Sequence, residues 1–301
     1  MMTTAAPPPI TQPSRAVVGA PRKDHIRLRR FLSSKPAVAG AVILIVLLLL
    51  VVICPFFTQD PNVSNILEKL QGHSSAHFFG TDDFGRDVLA RALLGGRVSF
   101  IVAFGACIVA VAGGGILGIV AGYWRGPVDD VISRIFDILL AFPMLLLAII
   151  ILAALGPSLG AEIIAIGVSD FPRYGRLVRA LTLEAKEREY VRSAVALGYS
   201  RRRILMRHII PNIYTPVLVS ATSNIGKYAL AEAALSFLGI GVQLPQPSWG
   251  NMIAEGQPYL QIAPAIALVP GIAITLMTIS FAFVGDGLRD AFDIREAGAR
   301  S

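Results

Sequence analysis

PAVAGAVILIVLLLLVVICPFF, residues 36–57, decides the fold class. No charge interrupts it, and a helix of about 20 residues rising 1.5 Å each crosses the roughly 30 Å hydrocarbon layer of a bilayer. The run is too long for the apolar part of a secretory signal. No small-residue cleavage site follows Cys54-Pro55-Phe56-Phe57, so it reads as a retained anchor helix. Outward from it lie five more apolar blocks, at about Val98–Tyr123, Ile138–Leu155, Leu155–Phe171, Ile213–Phe237 and Ile262–Val284. Glu162 and Asp170 make the block ending at Phe171 the weakest. Hydrophobic residues are 54% of the 301 and mean hydropathy is +0.64, against about 45–50% apolar residues in soluble domains. The expected fold is all-α, a polytopic membrane protein with about six transmembrane helices.

This pattern divides the chain into a polar tail 1–35, the anchor 36–57, a polar segment 58–97 and a core 98–290. The core holds five spans and a basic loop 172–212, and a short tail 291–301 follows. Pro7-Pro8-Pro9 and the early Ala and Thr argue for disorder at the start. Lys and Arg set the orientation. Seven precede the anchor, two lie between the second and third spans, ten follow the fourth and three follow the last span; only four follow the anchor. Six spans with both termini in the cytoplasm put the rich segments inside. The other way to keep the ten-charge segment inside is a re-entrant hairpin of the third and fourth spans. The net charge of +7 thus belongs to loops beside a membrane rather than to a nucleic-acid surface. Cys54 and Cys107 both fall in spans, away from any oxidising framework.

Ala106, Ala110, Gly114, Gly118 and Gly122 place a small residue at every fourth position of the second span. In lipid, such a stripe marks close helix packing rather than a ligand. Within the basic loop, Val191, Ala194, Val195 and Gly198 share one helical face. Gly198-Tyr199-Ser200 reads as a break, and Ile204, Leu205, His208 and Ile209 form a second stripe up to Pro211. Two short amphipathic helices with a small residue at the bend either lie on anionic lipid or dock on a partner protein.

This loop resembles the cytoplasmic signature of binding-protein-dependent ABC importer permeases, E-A-A, three residues, Gly, nine residues, I-x-L-P. Gly198 and Pro211 take the Gly and Pro positions. Arg192 and Ser193 stand where Glu and Ala are expected, His208 for the first Ile and Ile210 for Leu. His77-Phe78-Phe79-Gly80-Thr81-Asp82-Asp83-Phe84-Gly85-Arg86-Asp87-Val88-Leu89 is similar to the run before the second span in the C-type subunit of dipeptide, oligopeptide and nickel permeases. Ala231 through Gly239, Pro247-Ser248-Trp249-Gly250 and Gly285-Asp286-Gly287-Leu288-Arg289-Asp290 resemble that family in the same order.

The resemblance implies the type I ABC importer permease fold and half of a translocation pathway for short peptides, with nickel or another small solute as the alternative. It implies a homologous second permease, two ATPase subunits that hold ATP and Mg, and an extracytoplasmic binding protein. The coupling residues would be Val191, Arg192, Ser193, Ala194, Val195, Gly198, Ile209, Ile210 and Pro211, with Val191, Ala194, Val195 and the Gly198 bend buried against an ATPase. The chain itself has no G-x-x-x-x-G-K-[ST], C-x-x-C or H-E-x-x-H, so no ATPase site, cofactor or metal is expected on it. No internal repeat supports a secondary transporter, and no Asp pair or Ser with His within spans supports an intramembrane enzyme.

His73 and His77 are four apart, but Gly72 and Ser74-Ser75 place them in a loop rather than on a metal-binding helix face. Charges within spans cost roughly 2.5–3.5 kcal/mol each on insertion scales and face a cavity or a partner. Lys227, expected deepest, and Glu232 and Asp170 are the candidate pathway-lining residues. Asp170 and Glu162 are also possible partners of Lys227, and Glu162 is placed near the outer surface.

Overall fold

The computed structural model describes residues 23–53 and 60–292. The expected disorder at the start, Cys54 and the end of the chain lie outside them. The described residues form helices α1 (Lys23–Ser33), α2 (Lys35–Ile53), α3 (Val88–Trp124), α4 (Pro127–Leu140), α5 (Met144–Leu155), α6 (Leu159–Glu187), α7 (Glu189–Ala196), α8 (Arg201–Ile204), α9 (Ile210–Phe237), α10 (Trp249–Gly256) and α11 (Ala265–Phe292). A π turn, Leu205–Ile209, joins α8 to α9. By length and apolarity α2, α3 and α11 suffice to cross a membrane, and α4 with α5 adds a fourth span if that bent pair is one. At 29 and 28 residues α6 and α9 are long enough but less apolar, because they carry the ionisable groups.

The helices differ from the apolar blocks in instructive ways. Lys23–Ser33, within the expected polar tail, is helical, and its Phe31 ring packs where α11 has Gly287. The third block is broken by 96° between α4 and α5. The break falls at Pro143, which lacks an N–H and disfavours helix in the residue before it. α3 starts at Val88, ten residues before the apolar block, because Asp87 caps it by accepting the Ala90 N–H at 2.7 Å. Its 37 residues reach about 55 Å, well beyond the hydrocarbon layer.

The small-residue stripe of α3 is the central seam. Ala106, Ala110, Gly114, Gly118 and Gly122 are all buried, and α6 lies against them. A methyl group on Gly118 would stand 2.5 Å from the Gly175 carbonyl oxygen. Gly175 in turn leaves room for the Phe136 ring of α4. The same device joins α9 to α11 at Gly226 and α2 to α11 at Gly40. The main core surrounds this seam, with Val102, Ala103, Leu152, Ile166, Tyr228 and Met277 fully or nearly buried.

One end of the bundle is closed by an ionic knot made from the His77–Leu89 run. Asp82 Oδ1 accepts the N–H groups of Phe84 and Arg86 at 2.9 Å each, and Oδ2 accepts Arg86 Nε at 2.7 Å and Arg91 Nη1. Glu255 of α10 accepts Arg91 Nη1 at 2.7 Å, so the loop, α3 and α10 share one set of charges. Burial pushes the Asp82 carboxyl up, but the Arg86 amide and the two guanidiniums outweigh it and hold it below its ordinary value. His77 is buried and its Nδ1 meets Asp87 Oδ2 at 2.9 Å, with Glu68 beyond at 3.5 Å. The Asp87 hydrogen bond, then Glu68, raises the imidazole above 6.5.

Gly115, one step off the seam, has nothing within 4 Å of where a methyl would stand. Gly118→Ala is therefore expected to lower the melting temperature of the purified protein by an overpacking penalty of about 1–3 kcal/mol, and Gly115→Ala to leave it unchanged or raise it. His77 contributes fully below about pH 6.5 and loses that contribution as pH rises through its raised folded-state value. Hydrogen exchange of residues 71–88, corrected for intrinsic rate, should be slower at about pH 6 than at about pH 8.5, and His77→Gln should flatten that difference.

Candidate coupling surface and polar groups of the bundle

α7 and α8 form a cap on the end of the bundle opposite the ionic knot. α7 ends in a paired-bond turn: the Tyr199 N–H donates to Ala194 O at 3.1 Å and the Gly198 N–H to Val195 O at 2.9 Å. Gly198 has φ +73°, which costs an L side chain roughly 1–2 kcal/mol, and an added methyl group there would meet nothing within 4 Å. Ser200 then caps α8 by accepting the Arg203 N–H.

The stripe expected to be buried against an ATPase is divided between the inside and the outside of the chain. Val191 and Ala194 are buried in the chain's own second core with Val178, Ala185, Ile204, Ile209 and Ile213. They fix the cap to α6 and α9. Val195 at 59% and Leu197 at 72% exposure point outward, beside exposed Arg192 and Ser193. Ile210 and Pro211 lie in the first turn of α9. Because Pro211 has no N–H to donate, the ladder before it opens into the π turn. Lys186 steadies the base of the cap by donating from Nζ to Tyr123 O at 2.7 Å, near the end of α3. Arg179 forks onto Asp129 at 2.5 and 2.7 Å and ties α4 to α6.

The ionisable groups of the spans fall in three environments. Asp170 Oδ2 accepts the Tyr228 hydroxyl at 2.7 Å, and Tyr174 lies 3.4 Å from the same hydroxyl, a buried link between α6 and α9. Arg173 approaches Asp170 Oδ1 at 3.4 Å. Glu232 is fully buried, with Ser99 of α3 donating at 2.7 Å and Ser236 at 3.0 Å. Glu162 is also fully buried, under Gly241 of the loop after α9, rather than at the surface. Asp170 and Glu232 as pathway-lining groups are thus corrected: both carboxylates are consumed inside the subunit, since a charge kept from water needs local donors. Lys227 alone of the three is exposed, and neither Asp170 nor Glu162 pairs with it. The tyrosine pair was missed in the sequence: Tyr228 falls in an apolar block, where a phenol demands a hydrogen-bond partner, while Tyr174 lies just past the end of another.

His73 and His77 do not converge on a metal. His73 Nδ1 meets the Phe78 carbonyl at 2.6 Å while His77 turns to Asp87. Among the described residues no group of three His, Cys, Asp or Glu side chains is placed to hold an ion.

Comparisons with known proteins agree with this architecture. Residues 25–72 match the N-terminal TM domain of oligopeptide transport permease C. The dipeptide transport system permease protein DppC of Alkalihalophilus pseudofirmus is 43% identical over 266 residues, 88% of each chain. The oligopeptide transport system permease protein OppC of Haemophilus influenzae is 35% identical over 271 residues, covering 89% of this chain and 87% of that one. The crystal structure of an amino acid ABC transporter with histidines superposes with a TM-score of 0.51 at 15% identity, over 65% of this chain and 91% of that one, a likeness of fold alone. Residues 114–297 match the model of the binding-protein-dependent transport system inner membrane component, and the chain belongs to that family of ABC importer permeases.

Proposed function

We propose that this chain is one of two permease subunits that form the pathway of an ATP-driven peptide importer in the inner membrane of a prokaryote. Two ATPase subunits and an extracytoplasmic binding protein complete the assembly. The binding protein meets the end with the ionic knot, and the ATPases meet the end with the cap, both termini lying on the cap side. The peptide substrate rests on the relatives named for dipeptide and oligopeptide transport.

The observation that carries the reading is the cap itself. Its inward face is a hydrophobic core with the chain's own helices, so the cap moves with α6 and α9 as one piece. Its outward face presents Val195 and Leu197, exposed apolar side chains beyond the membrane-crossing part of the chain. Seated in a cleft of an ATPase subunit, they would pass its closure to the bundle as a rigid-body movement. ATP and Mg stay with the partners.

The experiment substitutes the two faces separately in the assembled complex, reconstituted in proteoliposomes. Leu197→Asp is expected to give normal amounts of folded permease with peptide uptake down at least tenfold while ATP hydrolysis persists. Val191→Asp, which buries a charge in the cap's core, is expected to lower the melting temperature of the permease itself. Normal uptake in Leu197→Asp would refute the coupling role. A specific, competed label from an ATP-analogue photoprobe on the isolated permease would refute the assignment of ATP to the partners.

A further inference from the structure

Around Lys227, α9 is enclosed on three sides. Behind it stands α3, where Ser99 donates to Glu232. On one flank Gly226 packs on Thr278 of α11, and on the other Tyr228 bonds Asp170 of α6. Successive residues on a helix are turned by about 100°, so Lys227, between Gly226 and Tyr228, points to the fourth, open side. Ser220, Leu230 and Phe237 continue that side along the helix. Toward the cap it leads to a cavity of about 450 Å³ lined by Leu177, Thr215, Pro216, Ser220 and Arg289.

Lys227 makes no hydrogen bond or ion pair with any described residue. The carboxylates of the spans do not neutralise it: Asp170 bonds Tyr228 and meets Arg173, Glu232 bonds Ser99 and Ser236, and Glu162, without a hydrogen-bond partner among the described residues, is enclosed under Gly241. Nor does it stand where a lysine reaches the membrane surface. It lies ten residues before Phe237, about 15 Å along the helix, farther than its side chain extends. An ammonium at this depth belongs to a water-filled path or to an anion.

On the peptide-importer reading, we propose that Lys227 is the carboxylate-recognising residue of the pathway, pairing with the C-terminal carboxylate of a peptide as it passes between α6 and α11. The charges are complementary. Among the described residues Lys227 has no counter-ion, and a zwitterionic peptide carries one at its end. A peptide amide offers no such charge.

The test uses the complete complex in proteoliposomes and two probes, one short peptide as the free acid and as the C-terminal amide. Each variant is compared with the wild type in the ratio of acid to amide uptake, so selection by the shared binding protein cancels. Lys227→Met is expected to reduce that ratio about tenfold and Lys227→Arg to keep it. Lys227→Gln gives the same readout if Met disturbs assembly, which size-exclusion chromatography reports. An unchanged ratio in the assembled uncharged variants overturns the inference and leaves the importer reading standing. A changed yield of assembled complex with an unchanged ratio also overturns it, assigning the ammonium to a carboxylate of the partner permease. Uptake of neither probe by the wild type overturns the peptide reading and this inference with it.

Discussion

The close approach of α3 and α6 is the constraint on which the rest of the subunit depends. Lipid supplies no hydrophobic drive for one apolar helix to join another, so cohesion comes from backbone-to-backbone packing. Gly114, Gly118 and Gly122 on one helix and Gly167 and Gly175 on the other are what allow it. Once the two axes are that near, Phe136 of α4 fits over Gly175, and the Asp170 carboxylate comes within reach of Tyr228 on α9. The seam therefore sets the position of α4 and α9 as well as its own.

Polar chemistry is distributed along this frame according to what each depth permits. At the loop end, ions cluster in shared sets, Asp82 with Arg86 and Arg91, and Glu255 with Arg91. Within the bundle the contacts turn to neutral donors, hydroxyls of Tyr228, Ser99 and Ser236 on the carboxylates of Asp170 and Glu232. At the cap end the guanidinium of Arg179 grips Asp129 and Lys186 reaches a backbone carbonyl near the end of α3.

The sequence made the apolar blocks legible because crossing a bilayer forces length and apolarity on a helix. It showed less of their ends, since α3 and α6 run on past the apolar blocks, where caps such as Asp87 and packing under α10 take over. The bend at Pro143 had a signal, a proline inside an apolar block, which a purely hydropathic reading passes over. The loop signature located the cap, but periodicity on α7 does not say which side carries a partner: Val191 and Ala194 face the chain's own core and Val195 does not. Glu162, Asp170 and Glu232 read as costly charges, and only the fold could show the serines and tyrosines that meet two of them. The spacing of His73 and His77 likewise said nothing of Asp87, which claims His77.

The π turn at Leu205–Ile209 has a geometric consequence for everything beyond it. It takes up one more residue than an α-helical turn would, and one residue corresponds to about 100° of rotation. The phase of α9 relative to the cap is therefore set within those five residues. With an ordinary helical turn and the same footing for α8, Lys227 would swing into the position of Gly226 or of Tyr228, against Thr278 or against Asp170. A helix that stops one step short of regularity is what keeps the ammonium facing outward.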